Sequence, residues 1–568
     1  MCESRRDVRF CLFLAAFVIL RSGTLVLSAE NEGAPASYVG SAACAPCHAG
    51  IYESYSATPM AQASGKVGTV AFDENLAQGE FLHSLSGTRF RIFKDQDDYY
   101  LEFSKEPSPS SLQKLQGRRR LDYFVGSGAA ARGYIFSMDG YWFQSPVSYY
   151  SLRRKWDMAP GYEQDSRLDL TRAVERNCLE CHASRVQPIW GTHNRYAEVP
   201  FLEGSVSCER CHGPGSKHIA GVTNEATPDS RDIVNPVRLD PLRRDSICAR
   251  CHLMGEVNIA RAGRSLYTFR PGELLTDYIA SFTWSPAETK AIKVIGHFEK
   301  LWQSRCKKSS GDRLWCGTCH DPHSLPTTTA RMEFFRQKCL SCHQGSDCKA
   351  SLLSRTRRSN DCVGCHMPKN RALDGGHTSF TDHSIPRKTD GKPRCKTVTT
   401  ERTLVPFWGG VAQVRELGLA YAKLAGQEQN GAYETRAFEL LKKAESEKAD
   451  DAEVLFHLGD YYDRKGDEEE AMILYHRALS KDPHLIAAGV NLGVLLGKRG
   501  RYPEAIRLWE EALRRNSGLE PVRLNLAKGY LRTGDFSSAK RVLLKALEYN
   551  PDFRTARELL SDPRLKSN

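Results

Sequence analysis

Long apolar runs are scarce in this chain of 568 residues. Residues 10–20 form one run of eleven, which falls short of the ~18 apolar residues of a membrane span. Methionine is rare, at eight residues. Acidic residues are fewer than basic ones, so the formal net charge is +12. The apolar share of 40% and the charged share of 26% are those of a globular protein. Wholesale disorder and a polytopic membrane protein are therefore excluded.

The amino terminus combines positive charge with the short apolar run. Three arginines precede residues 10–20, and Ser28-Ala29 offers a cleavage point. This order predicts a secretory signal peptide at residues 1–29, although Arg21 interrupts the pattern and leaves an uncleaved anchor as the alternative. We expect a periplasmic or otherwise extracytoplasmic protein with no stable membrane span after cleavage.

Cysteine is absent beyond residue 395, and fourteen of the nineteen cysteines fall in seven copies of C-x-x-C-H. Chance would give about 0.02 copies at this composition. The cysteine pairs are Cys44 and Cys47, Cys178 and Cys181, Cys208 and Cys211, Cys248 and Cys251, Cys316 and Cys319, Cys339 and Cys342, and Cys362 and Cys365. The histidines that follow them are His48, His182, His212, His252, His320, His343 and His366.

This motif is typical of covalent haem attachment. Two cysteines three apart lie on one side of a helical turn, so both thiols can bond the two vinyl groups of one haem while the histidine binds the iron. Zinc is the first alternative, because the last four motif cysteines have zinc-ribbon spacing, and a disulfide redox pair is the second. Neither explains a histidine after every pair. We therefore predict about seven covalently attached haem c groups.

The sixth position of each iron decides between electron transfer and catalysis. Seven further histidines in this region are candidate distal ligands: His83, His193, His218, His297, His323, His377 and His383. In CHGPGSKH and CHDPH, His218 and His323 follow their own motifs too closely to fold back and suit a neighbouring haem. The matching counts favour bis-histidine ligation and low potentials over methionine ligation. Cys306, Cys348 and Cys395 stay unassigned, with one disulfide and one free thiol as the simplest interpretation.

The chain divides into a haem-binding region and a repeat region. The fold class we predict is mainly α, with an irregular multihaem cytochrome c domain at residues 30–400 and a small antiparallel β-rich insert at about residues 80–150. The insert shows apolar and polar residues in alternation, and Asp139-Gly140 is a hairpin signal. A polar, basic linker is expected at residues 385–405.

Residues 406–568 carry a period of 34 residues. Leu458-Gly459 recurs as Leu492-Gly493 and as Leu526-Ala527, with small and aromatic residues at matching offsets. This pattern predicts four tetratricopeptide repeats and a capping helix, which together form a short α-solenoid for protein binding. An apolar strip could hold a peptide or pack on the haem domain; it comprises Phe456, Val490, Val494, Leu524 and Leu531.

Several segments resemble a known group of proteins. YVGSAACAPCH, VGSGAAARGYIF, FQSPVSYY, CHGPGSKH, CGTCHDPH, CHMPK and HTSFTDHSIPR are similar to exported multihaem cytochromes c with tetratricopeptide tails. The haem region resembles the nitrifier tetrahaem cytochrome and the hydroxylamine oxidoreductase and octahaem reductase superfamily. In those relatives the histidine after such a segment binds another haem, which the resemblance implies for His218 and His323. No C-x-x-C-K motif of ammonia-forming nitrite reductases occurs in the chain.

Three functions follow from these features. We favour an electron-transfer protein with redox protein partners over an enzyme, and assign no catalytic residue. One alternative is an oxidoreductase that acts on a small nitrogen or sulfur oxyanion at one open haem, for which the haem at His48 is the candidate. The other is an adaptor organised by the repeats. Nucleic acid is not an expected partner, because loss of residues 1–29 and the propionates of seven haems offset most of the positive charge.

Overall fold

The computed structural model describes residues 36–69, 74–107, 114–223, 232–285, 296–371, 379–387, 402–409, 413–448 and 450–565. The predicted signal peptide, His377 and Cys395 lie outside these residues. None of the helices in the described ranges combines the length and the apolar character needed to cross a membrane.

The predicted insert consists of two antiparallel sheets, of four and five strands, and extends beyond residues 80–150 at both ends. Their strands are β1 Ser64–Lys66, β2 Glu80–His83, β3 Thr88–Asp95, β4 Asp98–Lys105, β5 Leu115–Leu121, β6 Tyr123–Val125, β7 Arg132–Met138, β8 Tyr141–Tyr150 and β9 Lys155–Met158. Alternate residues of β3 are buried, as the sequence pattern predicts. The core between the sheets is aromatic, with Phe103, Phe136 and Phe143 fully buried.

The hairpin predicted at Asp139-Gly140 is confirmed. Met138 pairs with Tyr141 across a two-residue loop, and both loop residues have positive φ, 53° and 77°. This geometry suits Asp followed by Gly, because glycine adopts positive φ without a steric cost.

Short helices and small sheets make up the rest of the haem-binding region. The helices are α1 Ala49–Ser56, α2 Arg176–His182, α3 Glu209–His212, α4 Ser216–Thr223, α5 Pro241–His252, α6 His297–Gln303, α7 Arg305–Ser310, α8 Cys316–Cys319, α9 Arg331–Leu340, α10 Leu352–Arg357 and α11 Cys362–His366. The strands are β10 Ala183–Pro188, β11 Tyr196–Gly204, β12 Val257–Ala260, β13 Ile279–Ser285, β14 Lys369–Arg371, β15 Ser379–Thr381 and β16 Thr403–Pro406.

The carboxyl-terminal region is a stack of antiparallel helix pairs, as predicted. The four pairs and the capping helix are α12 Val414–Glu428, α13 Gly431–Glu447, α14 Ala452–Lys465, α15 Glu468–Lys481, α16 Ile486–Lys498, α17 Tyr502–Arg515, α18 Glu520–Thr533, α19 Phe536–Tyr549 and α20 Arg554–Leu560. Glycine lets the helices of a pair approach, since a Cβ at Gly493 would lie 2.6 Å from the Trp509 ring nitrogen.

The solenoid packs against the preceding region at two places. Strand β16, which begins within the predicted linker, pairs with β13, and Phe282, Trp284 and Leu404 share one core with α12. At the other end, the turns between repeats contact the insert: Tyr549 donates to Asp139 at 2.8 Å, and Lys105 pairs with Asp552 at 3.1 Å. The apolar strip from Phe456 to Leu531 is half-buried.

Candidate haem-binding sites

Every C-x-x-C-H motif lies on or beside a short helical turn. Five motifs lie mainly on α2, α3, α5, α8 and α11, the sixth begins at the end of α9, and the first begins at the end of a 3₁₀ helix, Ser41–Cys44. The turn brings the motif histidine back over the first cysteine, because the histidine N–H donates to that cysteine's carbonyl. This hydrogen bond is 3.0 Å long at His48 and 2.9 Å at His320. Both thiols and the imidazole of a motif thus share one side of the turn, as covalent haem attachment requires.

Two motif histidines face histidines that lie outside the motifs, with nearly parallel rings. The ring centroids of His48 and His218 are 6.5 Å apart, with an interplanar angle of 17°. Those of His212 and His323 are 5.9 Å apart at 14°. Metal–nitrogen bonds of about 2 Å, as histidine makes to zinc, would put two ring centroids roughly 6.3 Å apart across a metal ion. Both pairs therefore have the spacing of two axial ligands.

A second group of four histidines brings two more pairs together. His252 and His297 have ring centroids 5.7 Å apart, and those of His320 and His383 are 6.2 Å apart. The two pairs adjoin each other, since His297 and His383 meet edge to face at 4.8 Å. Two haem sites in direct contact fit this arrangement.

The environment of these rings suits metal ligation. Burial lowers the pKa of His212, His252 and His383, and burial together with neighbouring His383 lowers the pKa of His297 to about 3. The imidazoles are therefore neutral at neutral pH, the form that binds a metal.

Backbone carbonyls orient three of the histidines. Nδ1 of His212 hydrogen-bonds the Val234 carbonyl at 2.8 Å, Nδ1 of His383 that of Thr381 at 2.9 Å, and Nδ1 of His366 that of Pro386 at 3.0 Å. A bond of this kind holds the ring and leaves Nε2 for an iron. The residues present therefore fit haem.

The other described candidates for distal ligands, His83 and His193, do not face a motif histidine. His83 bonds Ser86 at 2.9 Å and the Glu163 carbonyl at 3.2 Å, so both its ring nitrogens are engaged. His193 pairs with Glu175 at 3.5 Å. In the described ranges, none of His182, His343 and His366 faces a second histidine ring. Nor do three or more His, Cys, Asp or Glu side chains there come together in a way that could hold a single metal ion.

Cysteines of different motifs lie next to each other. Thiol contacts join Cys44 to Cys208, Cys181 to Cys251, Cys248 to Cys316, and Cys339 to Cys362. All sixteen cysteines in the described residues are free thiols, Cys306 and Cys348 among them. These contacts join the first motif to the third, the second to the fourth, the fourth to the fifth, and the sixth to the seventh.

A buried carboxylate that sequence reasoning missed fixes the first motif beside the third. Glu209 lies inside the third motif, and its two oxygens accept the N–H groups of Val39, Gly40 and Gly215 at 2.8–2.9 Å. The Ser41 hydroxyl adds a bond to the Cys208 N–H at 3.1 Å. No local pattern could have revealed Glu209, because its partners Val39 and Gly40 lie about 170 residues away in the sequence.

Family comparisons match segments of both regions. The family of cytochrome c554 and c-prime matches residues 148–213, which include the second and third motifs. Tetratricopeptide families match residues 452–485 and 498–562. These matches support a cytochrome c segment followed by tetratricopeptide repeats. The first match implies covalently bound haem c, and the repeats support binding to proteins.

Two solved structures are similar to part of this chain. A structure titled MamA AMB-1 is 24% identical, covers 27% of this chain and 83% of its own, and has a TM-score of 0.23. The structure of the APC/C hetero-tetramer Cut9-Hcn1 is also 24% identical, covers 26% of this chain and 29% of its own, and has a TM-score of 0.23. A comparison with curated proteins finds no match.

Proposed function

We propose that this cytochrome is exported through a signal peptide and moves electrons along seven covalently bound haems, most of them ligated by two histidines. The observation that carries the proposal is the set of four motif histidines that face non-motif histidines, with ring centroids 5.7–6.5 Å apart. Haem supplies a one-electron iron centre, and a second histidine fills the position that a substrate would need.

Each residue then has a defined role. The motif cysteines hold the porphyrin, and the motif histidines His48, His212, His252 and His320 are the proximal ligands. Their facing partners are the distal ligands: His218, His323, His297 and His383, in the same order. For the remaining haems, His193 and His377 stay predictions, whereas Ser86 and the Glu163 carbonyl engage both ring nitrogens of His83.

Contacts between motifs support an order for the haems. The second motif touches the fourth through Cys181 and Cys251, and the fourth touches the fifth through Cys248 and Cys316. His323, just after the fifth motif, faces the third motif's His212, and the third motif adjoins the first. The sixth and seventh form a further pair. Helix α9, where the sixth motif begins, contacts α8 of the fifth motif, so this pair is joined to the others. A connected series of this kind can conduct electrons.

Spin state tests this proposal. Electron paramagnetic resonance of the oxidised, haem-loaded protein should be dominated by low-spin ferric signals, because two strong-field histidines would hold most of the irons. A five-coordinate high-spin signal equivalent to a whole haem would contradict the all-bis-histidine form. It would favour the alternative function, an oxidoreductase, which turnover with nitrite, hydroxylamine and tetrathionate would then test.

A further inference from the structure

The segment that holds the sixth and seventh motifs is strongly basic. Residues 331–371 contain nine Lys and Arg and three Asp and Glu, a side-chain net charge of +6, of which the propionates of two attached haems would offset only a part. Half of the chain's net charge of +12 thus falls in 41 residues. We call residues 331–371 the basic surface.

The basic surface is open to solvent and contains the haem motifs themselves. Helices α9 and α11 lie side by side, with α10 between them in sequence, and residues 341–354 are exposed throughout. The motif thiols Cys339 and Cys362 are in contact, so the two haems of this surface adjoin each other.

Much of the positive charge is not neutralised locally. Arg336 pairs with Glu333 at 3.0 Å, but Lys349, Arg357 and Lys369 are exposed and form no ion pair with any residue of the described ranges. A cluster of this kind attracts anionic partners and speeds their encounter.

Apolar side chains accompany the charges. Leu352 is 70% exposed and Leu353 is 62% exposed, both at the start of α10. An apolar centre with a charged rim is the anatomy of a protein interface. A simple solvated face has no need of two neighbouring exposed leucines.

We infer that the basic surface docks an acidic electron-transfer protein, which exchanges single electrons with the cytochrome at its sixth and seventh haems. The inference rests on the proposed electron-transfer function and adds the entry point and the partner's charge. An anionic lipid surface would meet the same charges, but the presence of two haem motifs in the patch favours a redox partner.

Reduced plant-type ferredoxin, an acidic one-electron donor, is a suitable probe. Each encounter moves one electron from its reduced cluster to the oxidised cytochrome, so the ferredoxin is oxidised as the cytochrome is reduced. The test variant carries K349E, R357E and K369E. A matched control carries three charge reversals on exposed residues of α13 and its end, R436E, K443E and K448E.

At low ionic strength, stopped-flow reduction by ferredoxin should slow at least ~5-fold in the test variant and less than ~2-fold in the control. Added salt should slow the wild type and leave the test variant nearly unchanged. Equal rates in both variants would overturn the inference. So would an unchanged ferredoxin rate together with lost binding to phosphatidylglycerol vesicles, which would identify a membrane surface. Dithionite titration distinguishes failure of the docking inference from failure of the proposed electron-transfer function. A protein that dithionite cannot reduce would contradict the proposed function itself.

Discussion

At the residue scale, the histidines outside the motifs fall into two groups. His218, His297, His323 and His383 face motif histidines, whereas His83 and His193 are engaged by other side chains or carbonyls. In the sequence, His218 and His323 stood out because each closely follows a motif, whereas nothing distinguished His383 from His193. Pairs such as His48 with His218 join residues far apart in the chain, and no local periodicity encodes a contact of that kind.

Removal of His218 should open one iron. In the H218A variant the ring that faces His48 at 6.5 Å is gone, so we expect about one haem equivalent of high-spin signal in the electron paramagnetic resonance spectrum. The H83A variant is the matched control and should keep the wild-type spectrum, because the His83 ring bonds Ser86 and Glu163. Identical spectra for the two variants would refute the assignment of His218.

His457 gives the solenoid a pH-dependent stability. It lies in α14 beside a small cavity that Glu434 and Arg464 also line, and burial lowers its pKa to about 4. The unfolded value is about 6.5, so the unfolded chain takes up a proton first as the pH falls from about 6.5 to about 4. The contribution of His457 to the unfolding free energy of the repeats should fall by about 1–3 kcal/mol over that window and change no further below it.

The H457Q variant should lack this component. Thermal unfolding of the full-length protein, followed from pH 7 to pH 4, should show a smaller fall in Tm for H457Q than for the wild type. His476 is exposed on α15, so H476Q should keep the wild-type pH profile. If H457Q and H476Q behave alike, the low pKa of His457 is wrong.

At the element scale, local patterns predicted most of the structure correctly. The 34-residue period specified four helix pairs and a cap, and Asp139-Gly140 specified a hairpin, because both signals depend on residues close in sequence. The full extent of the insert was not predictable. Strand β1 pairs with β6, which lies about 60 residues later in the chain, so no local pattern indicates this pairing.

Close helix packing makes Gly493 sensitive to size. A Cβ there would lie 2.6 Å from the Trp509 ring nitrogen, so G493V should overpack the α16–α17 pair and cost about 1–3 kcal/mol. Gly489, one turn earlier, has no atom within 4 Å of such a Cβ. The G489A variant should keep or slightly raise the stability, since alanine favours helix. Urea unfolding monitored by far-ultraviolet circular dichroism compares the two, and equal losses would contradict the packing argument.

At the scale of the whole molecule, the solenoid and the haem-binding region are one packed unit. Helix α12 shares a core with β12, β13 and β16, and the turns of the later repeats contact the insert. The sequence left open whether the solenoid rests on the haem domain or binds a partner. The structure shows that the solenoid packs against the haem-binding region through the turns of its repeats. A protein partner would therefore bind the remaining surface of the repeats.

Asp552 should contribute to that contact. Its carboxylate accepts bonds from Lys105 Nζ and the Leu168 N–H, both at 3.1 Å. D552N removes the charge, so hydrogen exchange at the Leu168 amide should accelerate several-fold, which corresponds to a loss of about 1 kcal/mol. D562N is the control, because Asp562 pairs only two residues along the chain, with Arg564. Unchanged hydrogen exchange at the Leu168 amide in D552N would show that this contact does not form in solution.

The central claim, seven covalently bound haems in one exported chain, is tested most directly by the intact mass of the purified protein. We predict the mass of the chain without residues 1–29 plus seven haems, none of which dissociates in denaturant, because two thioether bonds hold each one. A mass without covalent haem would contradict the account, and so would any number other than seven. Zinc or a disulfide pair at the motifs would give such a result.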